Sequence, residues 1–260
     1  MKPGAFKTKG LLSRIALDQS GRVARCLPSR RRQVMLAQGP PALQLGAHWS
    51  LVHPHHGPEQ RERHRHRQER PLQMRYLVLV TDYDGTLAMG GKADESTRSA
   101  LERLRMSGRR AILLTGRQLN DLLTVCPRLA VFDYVVAENG AVLYEPRTRQ
   151  QTLLGKPPPA RFVRRLRELT GNSISVGKVI VDTRVPHQTA VLQAIQEMGL
   201  ELQIVFNRDS VMLLPTGVNK ASGMAHALRK LGLSPHEAIG IGDAQNDHSF
   251  LESCECAVAV

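Results

Sequence analysis

Tyr76-Leu77-Val78-Leu79-Val80-Thr81-Asp82-Tyr83-Asp84-Gly85-Thr86 is an apolar run that ends abruptly in two acids and a glycine. Uninterrupted Val and Leu of this kind suit a parallel strand buried on both faces. Ligand sites of open α/β sheets lie at the carboxyl ends of such strands. In extended chain, Asp82 and Asp84 project to the same side about 6 to 7 Å apart. Two carboxylates in one small space repel unless one is protonated or a divalent cation joins them. Alone, Asp-x-Asp-Gly reads as an acidic turn; its place at a strand end is what points to chemistry.

The pattern continues outward from this strand. A helix capped by Asp94 or Ser96 is expected to run to Met106 and to stop at Gly108. Strand Ala111 to Thr115, a helix near Leu119 to Thr124 and strand Tyr134 to Ala137 follow. Strand, helix, strand, helix, strand implies a right-handed, mostly parallel sheet. After Pro146 and the stiff Lys156-Pro157-Pro158-Pro159 link, helices near Phe162 to Leu169 and His187 to Met198 alternate with strands. Those strands are Ser173 to Val176, Lys178 to Asp182, Leu202 to Phe206 and Val211 to Leu214, a small α+β insert. The βα alternation then resumes with helix Ala221 to Leu231, strand Ala238 to Ile241, helix Asn246 to Ser253 and strand Ala257 to Val260. The expected fold is therefore α/β, with a core at 74–150 and 216–260 split by an inserted cap at 151–215.

Three further strand ends or helix starts carry polar groups. Thr115-Gly116-Arg117 places a hydroxyl and an approachable backbone beside a helix start, where anions bind. Lys220 opens a helix and could neutralise a phosphate as a point charge. Gly240-Ile241-Gly242-Asp243-Ala244-Gln245-Asn246-Asp247 puts Asp243, Asn246 and Asp247 on another strand-to-helix turn. Oxygen ligands without structured His or Cys nearby point to magnesium. Taken singly, each has an ordinary alternative: a glycine turn capped by Thr115, or a solvated lysine.

Together and in this order, these four elements resemble the haloacid dehalogenase superfamily, over about Met74 to Val260. Ala137-Glu138-Asn139-Gly140-Ala141 and the position of the insert resemble the IIB subfamily with its type II B cap, the Cof-like group that includes many sugar-phosphate phosphatases. The resemblance implies a Rossmannoid core and an aspartyl-phosphate mechanism, with Asp82 as nucleophile and Asp84 as general acid and base. It implies that Thr115, Gly116 and Lys220 hold the phosphate. Mg2+ would be held by Asp82, the Asp84 carbonyl and Asp243, with Asn246 or Asp247 as direct or water-mediated partners. It also sets Asn139 near the substrate. In the cap, Arg184, His187, Asn207 and Arg208 could face the site and read the leaving group, although each alone is accounted for as a solvated side chain. The expected activity is hydrolysis of a small phosphorylated metabolite, a sugar phosphate or phosphoglycolate-like acid. A phosphomutase is the alternative enzyme, and a non-catalytic regulatory or polyanion-binding protein the alternative outside enzymes.

Composition bounds the rest. The 260 residues carry a net charge of +13, with 42% hydrophobic and 23% charged residues, ordinary for a globular protein. The charge is concentrated: residues 1–73 hold 14 Lys plus Arg against 4 Asp plus Glu, and six of the ten His. That segment has no sustained period and is expected to be a disordered basic extension, with Met74 as the expected natural start. A phosphate-gripping arm, a mitochondrial-type presequence and a His-rich metal tract are its other readings; none makes nucleic acid or a metal there the favoured partner. No apolar run approaches the roughly 20 residues of a spanning helix. Cys26, Cys126, Cys254 and Cys256 lack a framework spacing, so free thiols and a cytoplasmic location are expected. Cys254 and Cys256 read as packing. The chain stops at Val260 where family members continue through another helix, so the core is expected to be truncated there, with apolar surface or a strand edge left open.

Overall fold

The computed structural model describes residues 76–260 and the backbone strand Val34–Leu36. Expectations for the rest of the N-terminal segment, Met74 included, lie outside the described residues. In chain order the strands are β1 (Val34–Leu36), β2 (Val78–Asp82), β3 (Ala88–Met89), β4 (Lys92–Ala93), β5 (Arg110–Leu114), β6 (Tyr134–Ala137), β7 (Val142–Glu145), β8 (Gln150–Leu153), β9 (Ile174–Val176), β10 (Val181–Arg184), β11 (Leu202–Asn207), β12 (Ser210–Pro215), β13 (Ala238–Gly242) and β14 (Cys256–Ala259). The helices are α1 (Glu95–Met106), α2 (Leu119–Val125), α3 (Ala160–Thr170), α4 (Gln188–Met198), α5 (Lys220–Leu231) and α6 (His248–Ser253).

The large sheet has the order β1-β14-β13-β2-β5-β6-β7-β8. It is parallel from β1 through β6, then antiparallel at β7 and β8. β2 lies near the middle and is buried throughout, as its apolar run requires. Successive residues of the central strands serve opposite layers. Leu79, Ala111, Leu113 and Val135 join one apolar cluster with Leu101 and Leu104 of α1. Val78, Val80, Ile112, Leu114 and Val136 join another with Met224 and Leu228 of α5 and Phe250 of α6. This is the period-two alternation of a sheet covered on both faces. Asp94 caps α1 by accepting from the Thr97 N–H, and Asn219 and Ser222 form a reciprocal capping box at the start of α5.

β8 still belongs to the core sheet, so the chain leaves it after Leu153 rather than at position 150. It then builds an antiparallel sheet of order β11-β12-β10-β9, backed by α3 and α4. Val181, Val211 and Leu213 turn toward those helices and pack with Phe162, Leu166, Val191 and Ala194. Met212 and Ile180 turn the other way, toward the carboxyl ends of the core strands. The cap is thus a layer with its own core on one side and a polar working face on the other. The expected strand at Lys178 to Asp182 begins instead at Val181, because the backbone N–H groups of Lys178, Val179 and Ile180 all donate to the Glu138 carboxylate. β1 lies parallel beside β14, with Met35 opposite Val258, on the edge expected to be open. Among the described residues no helix is long and apolar enough to cross a membrane.

Leu166 is fully buried in the cap core. Leu166→Ala is expected to cost the cap about 2–5 kcal/mol. Hydrogen exchange should rise at β10 and β12 while β2 and β5 stay protected.

Candidate active site

Asp82 is the last residue of β2 and is 4% exposed. Lys220, the first residue of α5 and 2% exposed, reaches it from 138 positions further along the chain. Its Nζ donates to Asp82 Oδ1 at 2.6 Å and to Asp247 Oδ1 at 2.5 Å. Asp247 is itself wholly buried, and its Oδ2 accepts from the backbone N–H groups of Asp243 and Ala244, both at 3.0 Å, which shapes the turn after β13. Carboxylate oxygens of Asp82, Asp243 and Asp247 all lie within 4.8 Å of one another.

Three carboxylates around one ammonium leave negative charge in a nearly dry pit. Burial pushes the Asp82 carboxyl up to about 7; the Lys220 charge opposes this and Asp247 adds to it. Burial alone would lower the Lys220 pKa, but the two carboxylates outweigh it and the net direction is up. Burial likewise raises Asp243, against a hydrogen bond from Thr86 Oγ1 at 3.0 Å. A cation relieves such a cluster. Asn246 Oδ1, at the same turn, is buried with no hydrogen-bond partner among the described residues. An all-oxygen donor set with one unused acceptor fits a hard divalent cation.

Gly85 makes the approach possible. Its φ is +86°, and a Cβ there would lie 2.2 Å from Asp243 Oδ2. Beyond it the chain folds back as the β3–β4 hairpin, pinned where Tyr83 Oη donates to the Gly91 carbonyl at 3.1 Å.

Asp84 does not join the carboxylate cluster with its side chain. Arg117 takes it in a two-pronged pair, Nε to Oδ2 at 2.7 Å and Nη2 to Oδ1 at 2.8 Å. Arg117 Nη1 also donates to Asp121 at 2.6 Å, and its guanidinium lies 5.9 Å from the Tyr83 ring centre. These bonds raise the Arg117 pKa further, so it is a fixed cation. The sequence displays Arg117 within Thr-Gly-Arg but nothing local reveals its partner 33 positions earlier. Thr115 is buried, and its Oγ1 accepts from the Arg117 N–H at 3.1 Å.

Above the carboxylates lies a cavity of about 630 Å³. Asp82, Asp84, Gly116, Lys220, Asp243 and Asn246 line its floor. Arg184, Asn207 and Arg208 line its cap side, together with Asp182 and Ser210, which sequence reading did not single out. Asp182 accepts from the Ser210 hydroxyl, and burial raises its pKa. Arg208 Nη2 reaches to 3.7 Å from Asp243, and Gln118 Nε2 donates to Ser175 Oγ at 2.8 Å, so cap and core touch across the mouth. His187 stands at the start of α4 and is not among the lining residues. Asn139 is buried in the core, where it accepts from Asn246 Nδ2 at 3.0 Å, and does not line the cavity. Cys254 packs against Met224, and burial holds its thiol up to about 12.

The family model of the haloacid dehalogenase-like hydrolases matches residues 79–170 and 165–260. The chain belongs to that family. Its relatives include a phosphoglycolate phosphatase of Haloarcula marismortui, 26% identical over 191 residues, which cover 70% of this chain and 83% of the relative. The phosphoglycolate phosphatase of Methanothermobacter thermautotrophicus is 25% identical over 196 residues, 70% of this chain and 84% of the relative. Among solved structures, a haloacid dehalogenase-like hydrolase from Bacteroides thetaiotaomicron superposes with a TM-score of 0.59 at 17% identity, over 71% of this chain and 88% of that one. A subclass IIB sugar phosphatase superposes with a TM-score of 0.56 at 17% identity, over 70% and 86%. The α/β core with an inserted cap is the fold shared with these structures.

Lys220→Met removes the one cation between two buried carboxylates. The variant is expected to lose about 3–5 kcal/mol of unfolding free energy in metal-free urea titrations.

Proposed function

We propose that this hydrolase is a magnesium-dependent phosphatase acting on a small phosphorylated metabolite, with a phosphoglycolate-like acid or a sugar phosphate as substrate. One observation carries the reading: a buried strand-end carboxylate, Asp82, held by Lys220 and facing further carboxylates at the floor of a polar cavity. Asp82, the Asp84 carbonyl, Asp243 and Asn246 would hold Mg2+, with Asp247 anchoring the turn and Lys220. The bound ion supplies charge neutralisation for the transferring phosphoryl oxygens and for Asp82.

In this mechanism an Asp82 carboxylate oxygen attacks phosphorus, and the P–O bond to the leaving alkoxide breaks. Lys220 keeps Asp82 oriented and balances charge that builds on the phosphoryl oxygens; positioning and charge dominate such transfers. Thr115 and Gly116 stand at the neighbouring strand end, where hydroxyl and backbone donors serve the same oxygens. Asp84 gives the alkoxide its proton, then takes one from the water that attacks the aspartyl-phosphate. Water's oxygen ends on phosphate and Asp82 is regenerated. The Arg117 fork occupies both Asp84 carboxylate oxygens, so proton exchange with the leaving group and with water requires that fork to loosen.

Arg184 and Arg208 on the cap side suit a leaving group that bears a carboxylate, in keeping with the names of the phosphoglycolate phosphatase relatives. Thiols at Cys126 and Cys254 suit a reducing cytoplasmic setting.

Phosphate release from 2-phosphoglycolate and a panel of sugar phosphates tests the reading. Release should need magnesium, stop with EDTA, and fall by about 10³-fold or more in Asp82→Asn of matched circular dichroism. Transfer of the phosphoryl group to a second sugar hydroxyl instead of water would replace the phosphatase by a mutase. Arg117→Met should lower kcat by about 10-fold to 100-fold with less effect on KM, since it removes the group that orients Asp84.

A further inference from the structure

Glu138 follows β6 directly, is 1% exposed and takes a positive φ of 53°. Among the described residues its carboxylate bonds no other side chain, and Glu138 does not line the cavity. Oε1 accepts from the Lys178 N–H at 2.8 Å, and Oε2 accepts from those of Val179 at 2.9 Å and Ile180 at 3.1 Å. All three donors belong to the segment entering cap strand β10. A buried carboxylate accepting from several N–H groups makes strong, short, charge-assisted bonds.

The other end of Glu138 is fastened to the catalytic floor. Its own N–H donates to the Arg117 carbonyl at 2.9 Å. The next N–H, of Asn139, donates to the Thr115 carbonyl at 2.9 Å, and Asn139 Oδ1 accepts from Asn246. One residue therefore ties the turn behind Thr115, Gly116 and Arg117 to the start of the cap face. Beyond the tie, Ile180, Asp182 and Arg184 line the cavity while Val181 joins the cap core. In a strand, slipping by one residue exchanges the two faces. Gly177 closes over the carboxylate so tightly that a Cβ there would come within 2.7 Å of it.

We propose that Glu138 is a positioning residue for specificity: it fixes the register and height of Ile180, Asp182 and Arg184 above the phosphate cradle. It acts through β10 and touches no reacting atom. The kinetic half of the test rests on the phosphatase reading; the structural half does not. In the full chain, Glu138→Gln keeps the shape but can turn only one oxygen toward the three donors, and Gly177→Ala displaces the carboxylate without removing it.

With 2-phosphoglycolate, both variants should raise KM by about tenfold, with kcat within about threefold. With p-nitrophenyl phosphate, whose flat leaving group asks little of Asp182 and Arg184, kcat/KM should stay within about threefold of wild type. Amide exchange at 178–180 should rise by at least about tenfold while β2 and β13 keep their protection. Equal losses with both esters would overturn the proposal, since Glu138 would then be supporting the cradle itself. Unchanged exchange at 178–180 in both variants would also overturn it. If wild type cleaves neither ester, the kinetic half of the test falls away and exchange at 178–180 alone decides the tie.

Discussion

The Lys220 ammonium, shared between Asp82 and Asp247, is the interaction on which the rest of the structure depends. It joins residues 138 and 27 positions away in the chain, and so pins α5 and the turn after β13 to the end of β2. A buried carboxylate pair without it would repel at close range. Burying the ammonium is costly in turn, and two charge-assisted bonds offset that cost. Each member thus makes the burial of the others tolerable. The arrangement can be built only where strand ends and helix starts converge, which is what the order β14-β13-β2-β5-β6 provides.

The cap repeats the logic of alternation on a smaller scale. β10 and β12 give one side to an apolar core under α3 and α4 and the other to the cavity. Val181 and Val211 therefore hold the cap together while Asp182, Arg184 and Ser210 line the cavity. Because neighbouring residues face opposite layers, the polar face can vary without opening the core behind it. The same strands can then carry different leaving-group chemistries over one phosphate-handling floor.

Buried parallel strands are legible because burial on both faces demands uninterrupted apolar residues; β2, β5, β6 and β13 have them. β8 has no such signal, since Gln150, Gln151, Thr152 and Leu153 are all exposed, and among the described residues it pairs with β7 alone. Asp82, Lys220, Asp243 and Asp247 could be singled out because acids and a lysine at successive strand ends and helix starts form an ordered set. Arg117 was visible as a letter but not as a partner, for its bond to Asp84 is made in space. Glu138 was hidden more deeply: its partners are main-chain N–H groups, which any sequence possesses. The same fact explains the late start of β10, where those donors are withdrawn from the sheet ladder.

Arg117 and Glu138 are linked through the Arg117 carbonyl, and this joins two devices that would otherwise be separate. Arg117 holds Asp84, the carboxylate that in the proposed mechanism exchanges a proton with the leaving group and with water. Glu138, bonded to the same turn, holds the segment entering β10, whose Asp182 and Arg184 line the cavity. A displacement of the 115–117 turn would therefore move the proton-handling carboxylate and the cap face together. In the proposed mechanism coupling of that kind matters, because the leaving oxygen has to sit within hydrogen-bond reach of Asp84 at the same moment as its substituent fits the cap. Two independent anchors would let one condition be met without the other; a shared anchor makes correct placement of the substituent a condition for correct placement of the proton.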